Sequence, residues 1–406
     1  MSVYVPEKLL KLAKLLPKPL YLVGGYVRNS LLTLNDTDID IASELTPNDL
    51  RCLLLDTEYS VTTKSERMGT VLITNGDLSF EHTTFRQESY TNGNHQPSKV
   101  NFGVSINEDA SRRDFTINAL YYDIQNNTLM DFYEGVKDLE NKIIKCVETP
   151  NYVFSADGLR ILRMIRISSE LGFSIDNDTL RVAKDYLPLL KDISGERKYT
   201  ELVKMLTSNT KNKISPPNAP QIAIEVLNDL DAWQYILNLG KITIPKEYAD
   251  SNIYKFFISI YSDHLQFFDI TQFANCVFGK NALNRSNKEI TMLKDLLYLE
   301  YCFKYDFVSL CPIYSRLDKI VEELKKFDNI KTNKLIVLRQ KAIKSNIPLQ
   351  IKELDIDPLE LISLGISTKH LNAILKKLLY TVLTQNIPNK KQILIDLSMK
   401  LYEELK

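Results

Sequence analysis

Two aspartates separated by a single residue are the side chains in this sequence best suited to catalysis. Asp38 and Asp40 lie in the run DTDIDI at residues 36–41, whose alternation of polar and apolar residues predicts a β-strand. Residues two apart in a strand share a face, so the two carboxylates would repel each other unless a cation neutralised them. Mg²⁺ suits this position, because it binds carboxylate oxygens together with substrate phosphates. An acidic edge strand in solvent is the alternative.

A glycine pair lies upstream of the aspartates, about one helix earlier in the chain. Gly24 and Gly25 directly follow a predicted strand, Leu20–Val23, and such glycines let backbone N–H groups approach a phosphate closely. Arg28 would add a guanidinium that holds a phosphate through two hydrogen bonds. A tight turn with no ligand is the alternative for the glycines alone, but their position before Asp38 favours a nucleotide site.

Two more charged clusters fit a nucleotide site. Glu81 lies in another predicted strand, Ser79–Thr84, and would complete a carboxylate triad on the same sheet; a single exposed acid is the alternative. Arg112, Arg113 and Asp114 stand together before an apolar segment, where they would bind a triphosphate and a ribose hydroxyl. Without the other motifs, such a run is usually a solvated charge cluster.

A further motif, SADGLRILRMIR at residues 155–166, predicts a helix with Asp157 and Arg160 on one face and Arg163 following them. Aspartate only accepts hydrogen bonds, and arginine only donates them. Cytosine and adenine each present an amino donor beside a ring-nitrogen acceptor, whereas guanine and uracil present a carbonyl and a ring N–H. The pair would therefore select C or A without a template, and an ordinary surface ion pair is the alternative.

The elements around these motifs divide the chain into two kinds of sequence. Short strand candidates separated by turns fill residues 19–150; they are Leu20–Val23, Thr70–Thr74, Ser79–Thr84, Val100–Val104 and Leu120–Asp123. Longer helical periodicity follows, as in Leu159–Leu171, Tyr199–Leu206 and His370–Thr384. Residues 1–150 carry 15 basic and 21 acidic side chains, and the remaining residues carry 36 basic and 30 acidic ones. An acidic front half suits a cation, and a basic rear half suits a polyanion such as RNA.

Composition limits the class of protein. The 406 residues exceed one ordinary domain, and 44% hydrophobic with 25% charged residues indicates a globular chain with a core. No apolar run reaches the roughly 18 residues of a membrane span, and the N-terminus lacks the pattern of a secretory signal. The five cysteines are scattered without a Cys-x-x-Cys pair, which favours reduced thiols and a cytoplasmic protein that binds no membrane.

The order and spacing of these motifs resemble the class II tRNA nucleotidyltransferases and bacterial poly(A) polymerases. Matching segments are GGYVR, DTDID and RRDFTINA, with support from RMGTV at residues 67–71, TFRQESY at residues 84–90 and GERKYTEL at residues 195–202. The resemblance implies an α+β fold: a polymerase-β-like catalytic head at residues 1–145, a helical neck at 146–206, and a helical body and tail at 207–406. It assigns nucleotide binding to Gly24, Gly25, Arg28, Arg112, Arg113, Asp114, Asn118, Asp157, Arg160, Arg163 and Arg166.

The resemblance also implies a reaction, the template-independent addition of C, C and A to the 3′ end of tRNA from CTP and ATP. Asp38 and Asp40 would hold Mg²⁺ for a two-metal nucleotidyl transfer that releases pyrophosphate. Glu81 would orient these groups or bind the metal as a further ligand. The helical rear would bind the acceptor arm of the tRNA. The loop after Tyr90, which enzymes of the family restricted to adding C lack, favours the complete reaction.

Two departures from the family pattern keep other functions open. Asn29 stands where the family usually has Asp, and Ala156 stands where it usually has Glu. An enzyme that adds only A to tRNA and a poly(A) polymerase are alternatives within the family. A catalytically silent RNA-binding paralogue is the alternative from another class, although the repulsive pair of Asp38 and Asp40 gives a binding-only protein little advantage.

Overall fold

The computed structural model describes residues 3–34, 38–89, 97–237, 239–243, 252–265 and 268–404. The chain forms two compact units, the first comprising Met1–Ile253 and Cys276–Arg285, the second Tyr254–Asn275 and Ser286–Lys406. All of the predicted site residues belong to the first unit. The start of the DTDIDI run, residues 36–37, and the loop at residues 90–96 lie outside the described residues.

The first unit is built around a seven-stranded mixed sheet, accompanied by two smaller sheets. In chain order the strands are β1 (Tyr21–Val23), β2 (Ile39–Ser43), β3 (Ser60–Ser65), β4 (Thr70–Asn75), β5 (Leu78–Thr84), β6 (Arg86–Ser89), β7 (Lys99–Phe102), β8 (Leu120–Asp123), β9 (Thr128–Asp131), β10 (Ile143–Ile144) and β11 (Ser174–Ile175). The large sheet has the order β3-β4-β5-β2-β1-β8-β9, while β6 pairs with β7 and β10 with β11. Only β2 and β5 run parallel among the pairs of the large sheet that the structure describes.

Helices surround the sheet and form the rest of the chain. Those up to residue 236 are α1 (Glu7–Leu15), α2 (Gly25–Leu31), α3 (Pro47–Leu54), α4 (Ile106–Ser111), α5 (Gly135–Glu140), α6 (Pro150–Ala156), α7 (Leu159–Leu171), α8 (Asn177–Tyr186), α9 (Gly195–Leu206), α10 (Ala219–Asp229) and α11 (Trp233–Ile236). Those that follow are α12 (Ile253–Tyr261), α13 (Ile270–Phe278), α14 (Asn287–Tyr301), α15 (Phe307–Leu310), α16 (Leu317–Leu324), α17 (Asn329–Lys344), α18 (Pro358–Ser363), α19 (Thr368–Thr384) and α20 (Lys391–Glu403). Across the part of the chain that is described, none of them is long and apolar enough to cross a membrane.

The predicted elements are largely confirmed. β1, β4, β5 and β8 lie within one residue of the expected strands, and α7 coincides with the expected helix. The strand expected at Val100–Val104 appears as β7, which pairs with β6 outside the large sheet. β2 begins at Ile39, so Asp38 directly precedes the strand rather than lying inside it.

One face of the large sheet packs against an apolar core, and the other face carries polar residues. On one face Leu22, Ile41 and Phe80, all fully buried, pack with Leu9 of α1 and Leu50 of α3. Burying each such side chain contributes about 1.5–3 kcal/mol, which fixes the register of the strands and sends every second residue to the opposite face. That opposite face carries the polar residues of the candidate site.

Candidate active site

The turn between β1 and α2 brings the glycine pair beside an aspartate. Gly24 has φ +68°, a left-handed conformation in which a side chain is strained. A Cβ atom at this position would lie 3.2 Å from Arg113 Nη1 and 4.0 Å from Asp40 Oδ2. Gly25 follows as the first residue of α2. Both the backbone conformation and the close neighbours favour glycine at position 24. The turn lies beside the guanidinium of Arg113 and the carboxylate of Asp40.

The predicted metal ligands line one cavity, which has a volume of about 1010 Å³. Asp38 is exposed before β2, and Asp40 is half-buried within it. Glu81 lies opposite Asp40 in the pairing of β2 with β5, but its carboxylate forms an ion pair with Lys64, and it does not line the cavity. Over the described ranges, no group of three His, Cys, Asp or Glu that could hold a metal ion is found. The structure thus places Asp38 and Asp40 in the wall of one cavity, while metal binding by these two residues and a catalytic role for Glu81 stay predictions.

A chain of hydrogen bonds runs from α2 to α7 through the segment that follows α4. Arg28 Nη1 donates to Asn118 Oδ1 at 2.6 Å, and Asn118 Nδ2 donates to Asp114 Oδ1 at 3.0 Å. Asp114 Oδ2 accepts from Arg163 Nε at 2.7 Å. Burial would raise the pKa of the Asp114 carboxyl, but the Arg163 guanidinium and the hydrogen bonds outweigh it and hold that pKa well below its usual range. Asp114 therefore stays ionised and joins α2 to α7.

The adjacent arginines both line the cavity and both contact Asp109 of α4. Arg112 Nε donates to Asp109 Oδ1 at 2.9 Å, and its Nη1 lies 3.4 Å from Glu88 Oε1. Arg113 Nη2 lies 3.5 Å from Asp109 Oδ2. The two side chains are thus held by the buried carboxylates of Asp109 and Glu88, which fixes two positive charges in the cavity wall.

The helix predicted over residues 155–166 is interrupted, which corrects the sequence interpretation. α6 ends at Ala156 and α7 begins at Leu159, so Asp157 stands in extended backbone between them, with φ −152° and ψ 109°. Asp157 Oδ1 accepts from the backbone N–H of Leu159 at 3.0 Å. A Cβ atom on Gly158 would lie 2.8 Å from Leu189 Cβ, so the break depends on a glycine that packs closely against another segment.

Asp157 and Arg160 both line the cavity, but in the structure they bind different partners. Asp157 Oδ2 lies 2.6 Å from Arg197 Nη2 of α9. Arg160 is buried, its Nη2 donates to the carbonyl of Arg112 at 2.6 Å, and its Nη1 donates to the carbonyl of Val153 at 3.3 Å. Asp157 and Arg160, the two residues expected to select the base, therefore line the same cavity but are held by different parts of the chain.

Arg166 lies deeper, where it links two helices. Its Nε donates to Glu201 Oε2 at 2.6 Å, and its Nη1 donates to Glu170 Oε2 at 2.9 Å. Lys211 Nζ lies 3.0 Å from the other oxygen of Glu170. This buried cluster joins α7 to α9, and nucleotide binding by Arg166 stays a prediction.

The wall of the cavity carries an excess of positive charge. Its lining residues include eleven Lys and Arg and five Asp and Glu. A concave surface with such an excess raises the local concentration of a polyanionic ligand. Every residue predicted to bind the nucleotide lines this cavity: Gly24, Gly25, Arg28, Arg112, Arg113, Asp114, Asn118, Asp157, Arg160, Arg163 and Arg166.

Comparison with known proteins gives two family matches. A family model described as "Poly A polymerase head domain" matches residues 20–145, and one described as "Probable RNA and SrmB- binding site of polymerase A" matches residues 172–214. The chain aligns with about half the length of the first curated relatives. The CCA-adding enzyme of Streptococcus gordonii, for instance, is 41% identical over 210 residues, which are 52% of this chain and 51% of that protein.

A longer alignment decides the family. The CCA-adding enzyme of Ligilactobacillus salivarius is 31% identical over 396 residues, which cover 95% of this chain and 93% of that protein. The chain belongs to the CCA-adding enzyme family. The predicted resemblance to tRNA nucleotidyltransferases is confirmed. Nucleotidyltransferases generally use divalent metal ions.

Solved structures of CCA-adding enzymes have the same fold. The crystal structure of the Bacillus stearothermophilus enzyme in complex with CTP matches with a TM-score of 0.69 at 21% identity and covers 97% of both chains. The Thermotoga maritima enzyme complexed with tRNA matches with a TM-score of 0.52 at 21% identity, covering 98% of this chain and 97% of that one. These neighbours and the mixed sheet confirm the predicted α+β class with a polymerase-β-like head.

The cavity is also lined by five basic residues that were not predicted to bind the nucleotide: Arg67, Arg86, Arg197, Lys204 and Lys211. The first three lie in the segments RMGTV, TFRQESY and GERKYTEL, which follow the pattern of the CCA-adding enzyme family. That pattern was the available signal for them. Lys204 and Lys211 follow in α9 and just after it, and no motif singled them out.

Proposed function

We propose that this chain adds C, C and A in turn to the 3′ end of tRNA, using CTP and ATP and no nucleic-acid template. The observation that carries the proposal is that Asp38 and Asp40 share one cavity with Asp157 and Arg160. The first pair suits nucleotidyl transfer, and the second pair suits the choice of C or A. A volume of about 1010 Å³ is sufficient for a nucleoside triphosphate. Membership of the CCA-adding enzyme family supports this reaction.

The cofactor in this proposal is Mg²⁺, held by Asp38 and Asp40. Two carboxylates are sufficient for this ion, because Mg²⁺ is commonly bound by one or two carboxylates and completes its shell with water and substrate phosphates. When bound, Mg²⁺ supplies a lowered pKa for the ribose hydroxyl and compensates charge on the phosphates. The excess of basic residues in the wall does not replace it, since guanidinium groups cannot lower the pKa of a hydroxyl as a coordinated cation does.

The reaction replaces one phosphate bond by another. The 3′ oxygen of the RNA bonds to the α-phosphorus of CTP or ATP, the bond from that phosphorus to the β-phosphate oxygen breaks, and pyrophosphate leaves. Arg113, beside the Gly24 turn, would hold the triphosphate together with Arg28 and Arg112. Asp114, which accepts hydrogen bonds from Asn118 and from Arg163, would keep the phosphate-binding side of the cavity aligned with the base-binding side.

Base choice would follow from the hydrogen-bond capacity that remains at Asp157 and Arg160. Three N–H bonds of Arg160 are directed to backbone carbonyls, which leaves two of its five donors for a ring nitrogen. The carboxylate of Asp157 keeps lone pairs for an exocyclic amino group. Guanine and uracil would leave both groups unsatisfied, at a cost of about 1–3 kcal/mol for each buried group.

The acceptor arm of the tRNA would bind to the helical remainder, residues 207–406, through its phosphates. Residues 151–406 carry 36 basic and 30 acidic side chains. In this region α17 exposes Lys334, Lys341 and Lys344 along its length. Lysines on an exposed helix bind phosphates without regard to sequence, which suits an enzyme that accepts every tRNA.

A cytoplasmic location is part of the proposal. All five cysteines are free thiols. Free thiols of this number suit a compartment kept reducing by small thiols, where tRNA is also processed.

The direct test is incubation of the protein with Mg²⁺ and a tRNA that lacks its 3′ CCA. CTP alone should extend this RNA by two nucleotides, ATP alone should not extend it, and both together should extend it by three and then stop. A denaturing gel with labelled nucleotides resolves these products. A tRNA that already ends in CCA is the matched control and should not be extended.

Other products would identify the alternatives. Long tails from ATP alone would indicate a poly(A) polymerase, and extension only of tRNA that already ends in CC would indicate an A-only enzyme. Binding of tRNA without extension by any nucleotide would indicate a silent paralogue. Asn29, whose Oδ1 accepts from Arg28 Nε at 3.0 Å, and Ala156, which ends α6, are the residues to restore to Asp and Glu in that case.

A further inference from the structure

Two fully buried polar side chains lie beneath the cavity and have no part in the reaction described above. Tyr121 of β8 and Asp109 of α4 are both 0% exposed. Tyr121 pairs with Val23 across β8 and β1, which places its side chain on the same face of the sheet as Asp40. Burying two such polar groups is unfavourable unless each is hydrogen-bonded. The hydrogen-bond partners of Tyr121 and Asp109 therefore indicate what the two residues do.

The directions of the hydrogen bonds around Tyr121 are fixed by chemistry. Its hydroxyl has one hydrogen, and a carboxylate can only accept, so the hydroxyl donates to Asp109 Oδ2. The hydroxyl oxygen is then left to accept, and Arg113 Nε donates to it at 2.7 Å. The Arg113 guanidinium carbon also lies 4.8 Å from the centre of the Tyr121 ring, a cation–π contact. The hydroxyl and the ring of Tyr121 thus both hold Arg113.

Asp109 is itself held as a fixed acceptor. Its Oδ1 accepts from the backbone N–H of Arg86 at 3.0 Å and from Arg112 Nε at 2.9 Å. Burial would raise the pKa of Asp109, but Arg112 and Arg113 outweigh it, so the carboxyl stays ionised. Burial also raises the pKa of the Tyr121 hydroxyl, which stays protonated and keeps its hydrogen for Asp109.

The remaining nitrogen of Arg113 faces the cavity. With Nε on Tyr121 and Nη2 3.5 Å from Asp109, Nη1 is the nitrogen beside Gly24, 3.2 Å from where its Cβ would be. A free arginine side chain loses about 2 kcal/mol of rotamer entropy when it is fixed. The contacts with Tyr121 and Asp109 already fix Arg113 in the folded protein, so ligand binding does not incur this loss of rotamer entropy.

We propose that Tyr121 is a positioning residue that, backed by Asp109, aims Arg113 at the polyphosphate of the incoming nucleotide. The inference rests on the proposed function and adds a residue that neither the motifs nor the family comparison singles out. Its ligand class is the polyphosphate itself, free pyrophosphate included, because the guanidinium lies on the phosphate side and not beside Asp157. The effect of Tyr121 is therefore independent of the base.

Tyr121→Phe removes the hydroxyl and keeps the ring that packs beneath the cavity. We expect the KM values for CTP and ATP to rise by the same factor, about threefold to tenfold, as is usual for one lost hydrogen bond. The kcat values should stay within about twofold, and selection against GTP and UTP should not change. Tyr122→Phe is the matched control, since the Tyr122 hydroxyl donates to Asn127 Oδ1 at 3.4 Å in an exposed hydrogen bond. A thermal unfolding midpoint for each variant confirms that it is folded.

A double-mutant cycle separates action through Arg113 from a general loss of packing. In an Arg113→Lys background, which lacks the Nε donor, Tyr121→Phe should cause no further loss of pyrophosphate affinity. Calorimetric titration with pyrophosphate and Mg²⁺ measures this even if the wild-type protein adds no nucleotide, so the inference and the proposed function fail separately. Wild-type affinity in Tyr121→Phe, or an equal loss in both backgrounds, would overturn the inference.

Discussion

The carboxylate of Asp157 pairs with the guanidinium of Arg197, with 2.6 Å between Oδ2 and Nη2, although Arg160 stands only three residues away along the chain. Arg160 is turned to the backbone of the segment that carries Arg112 and Arg113. One group expected to select the base is thus held by α9, and the other by the segment that carries Arg112 and Arg113.

Arg197→Met should weaken base selection. The variant keeps the length of the side chain but removes the guanidinium from Asp157, whose carboxylate keeps the hydrogen bond from the Leu159 N–H. We expect the ratio of kcat/KM for CTP over UTP, and for ATP over GTP, to fall by about tenfold, as when one charged hydrogen bond is lost. Arg181→Met, which breaks the exposed pair with Asp178, is the control. Unchanged ratios would show that Arg197 does not orient Asp157.

The break between α6 and α7 at Asp157 could not be predicted from the sequence. Apolar periodicity predicts α7, because Ile161, Leu162 and Ile165 recur at helical spacing and are all buried. The break before it depends on Gly158 touching Leu189, a contact 31 residues away that no local pattern contains. Pairing of Asp157 with Arg197, 40 residues apart, is unpredictable for the same reason.

The surroundings of Glu81 could be predicted only in part. Its strand was predicted, and its register beside Asp40 agrees with a shared sheet. Its partner Lys64 lies in β3, an edge strand in which no side chain is fully buried, so the usual alternation is missing. The strand that carries Glu81 could therefore be predicted from the sequence, but its ion pair with Lys64 could not.

The stability of the first unit should decrease in mild acid because of His82. Burial lowers the pKa of His82 to about 3, an effect that the Asp109 carboxylate offsets only in part. In the unfolded chain a histidine titrates near pH 6.5, so between about pH 6.5 and 3 the unfolded state binds one proton more. The free energy of unfolding therefore decreases as the pH is lowered through this window, by up to about 1.4 kcal/mol per pH unit from this group.

His82→Gln tests this assignment. The side chain keeps a polar group for Ser43 Oγ, which lies 2.8 Å from His82 Nε2. Denaturation followed by the fluorescence of Trp233, the one tryptophan of the chain and part of the first unit, gives the free energy of unfolding. Between about pH 6.5 and 5 the variant should lose about 1.5 kcal/mol less than the wild type. Equal losses would contradict a neutral buried His82.

Binding of tRNA should weaken steeply with salt. Contacts between lysines and phosphates release counterions, so the logarithm of the binding constant falls linearly with the logarithm of the salt concentration. We expect at least about a tenfold loss of affinity between about 50 and 200 mM salt. Lys341→Gln with Lys344→Gln should lower the slope by up to about 2, whereas Lys11→Gln with Lys14→Gln on α1 should not. A tRNA affinity that does not change with salt in filter binding would contradict binding through the phosphates.

The central claim is that Asp38 and Asp40 make this cavity a site of nucleotidyl transfer. The most direct measurement is the rate of CMP incorporation into tRNA lacking its 3′ CCA by Asp38→Asn and by Asp40→Asn, with the exposed Asp77→Asn as control. Each of the first two should reduce the rate at least about a hundredfold and leave tRNA affinity within about twofold, because several kcal/mol of transition-state stabilisation are lost without loss of the basic wall. Incorporation at the wild-type rate by both variants would contradict the account.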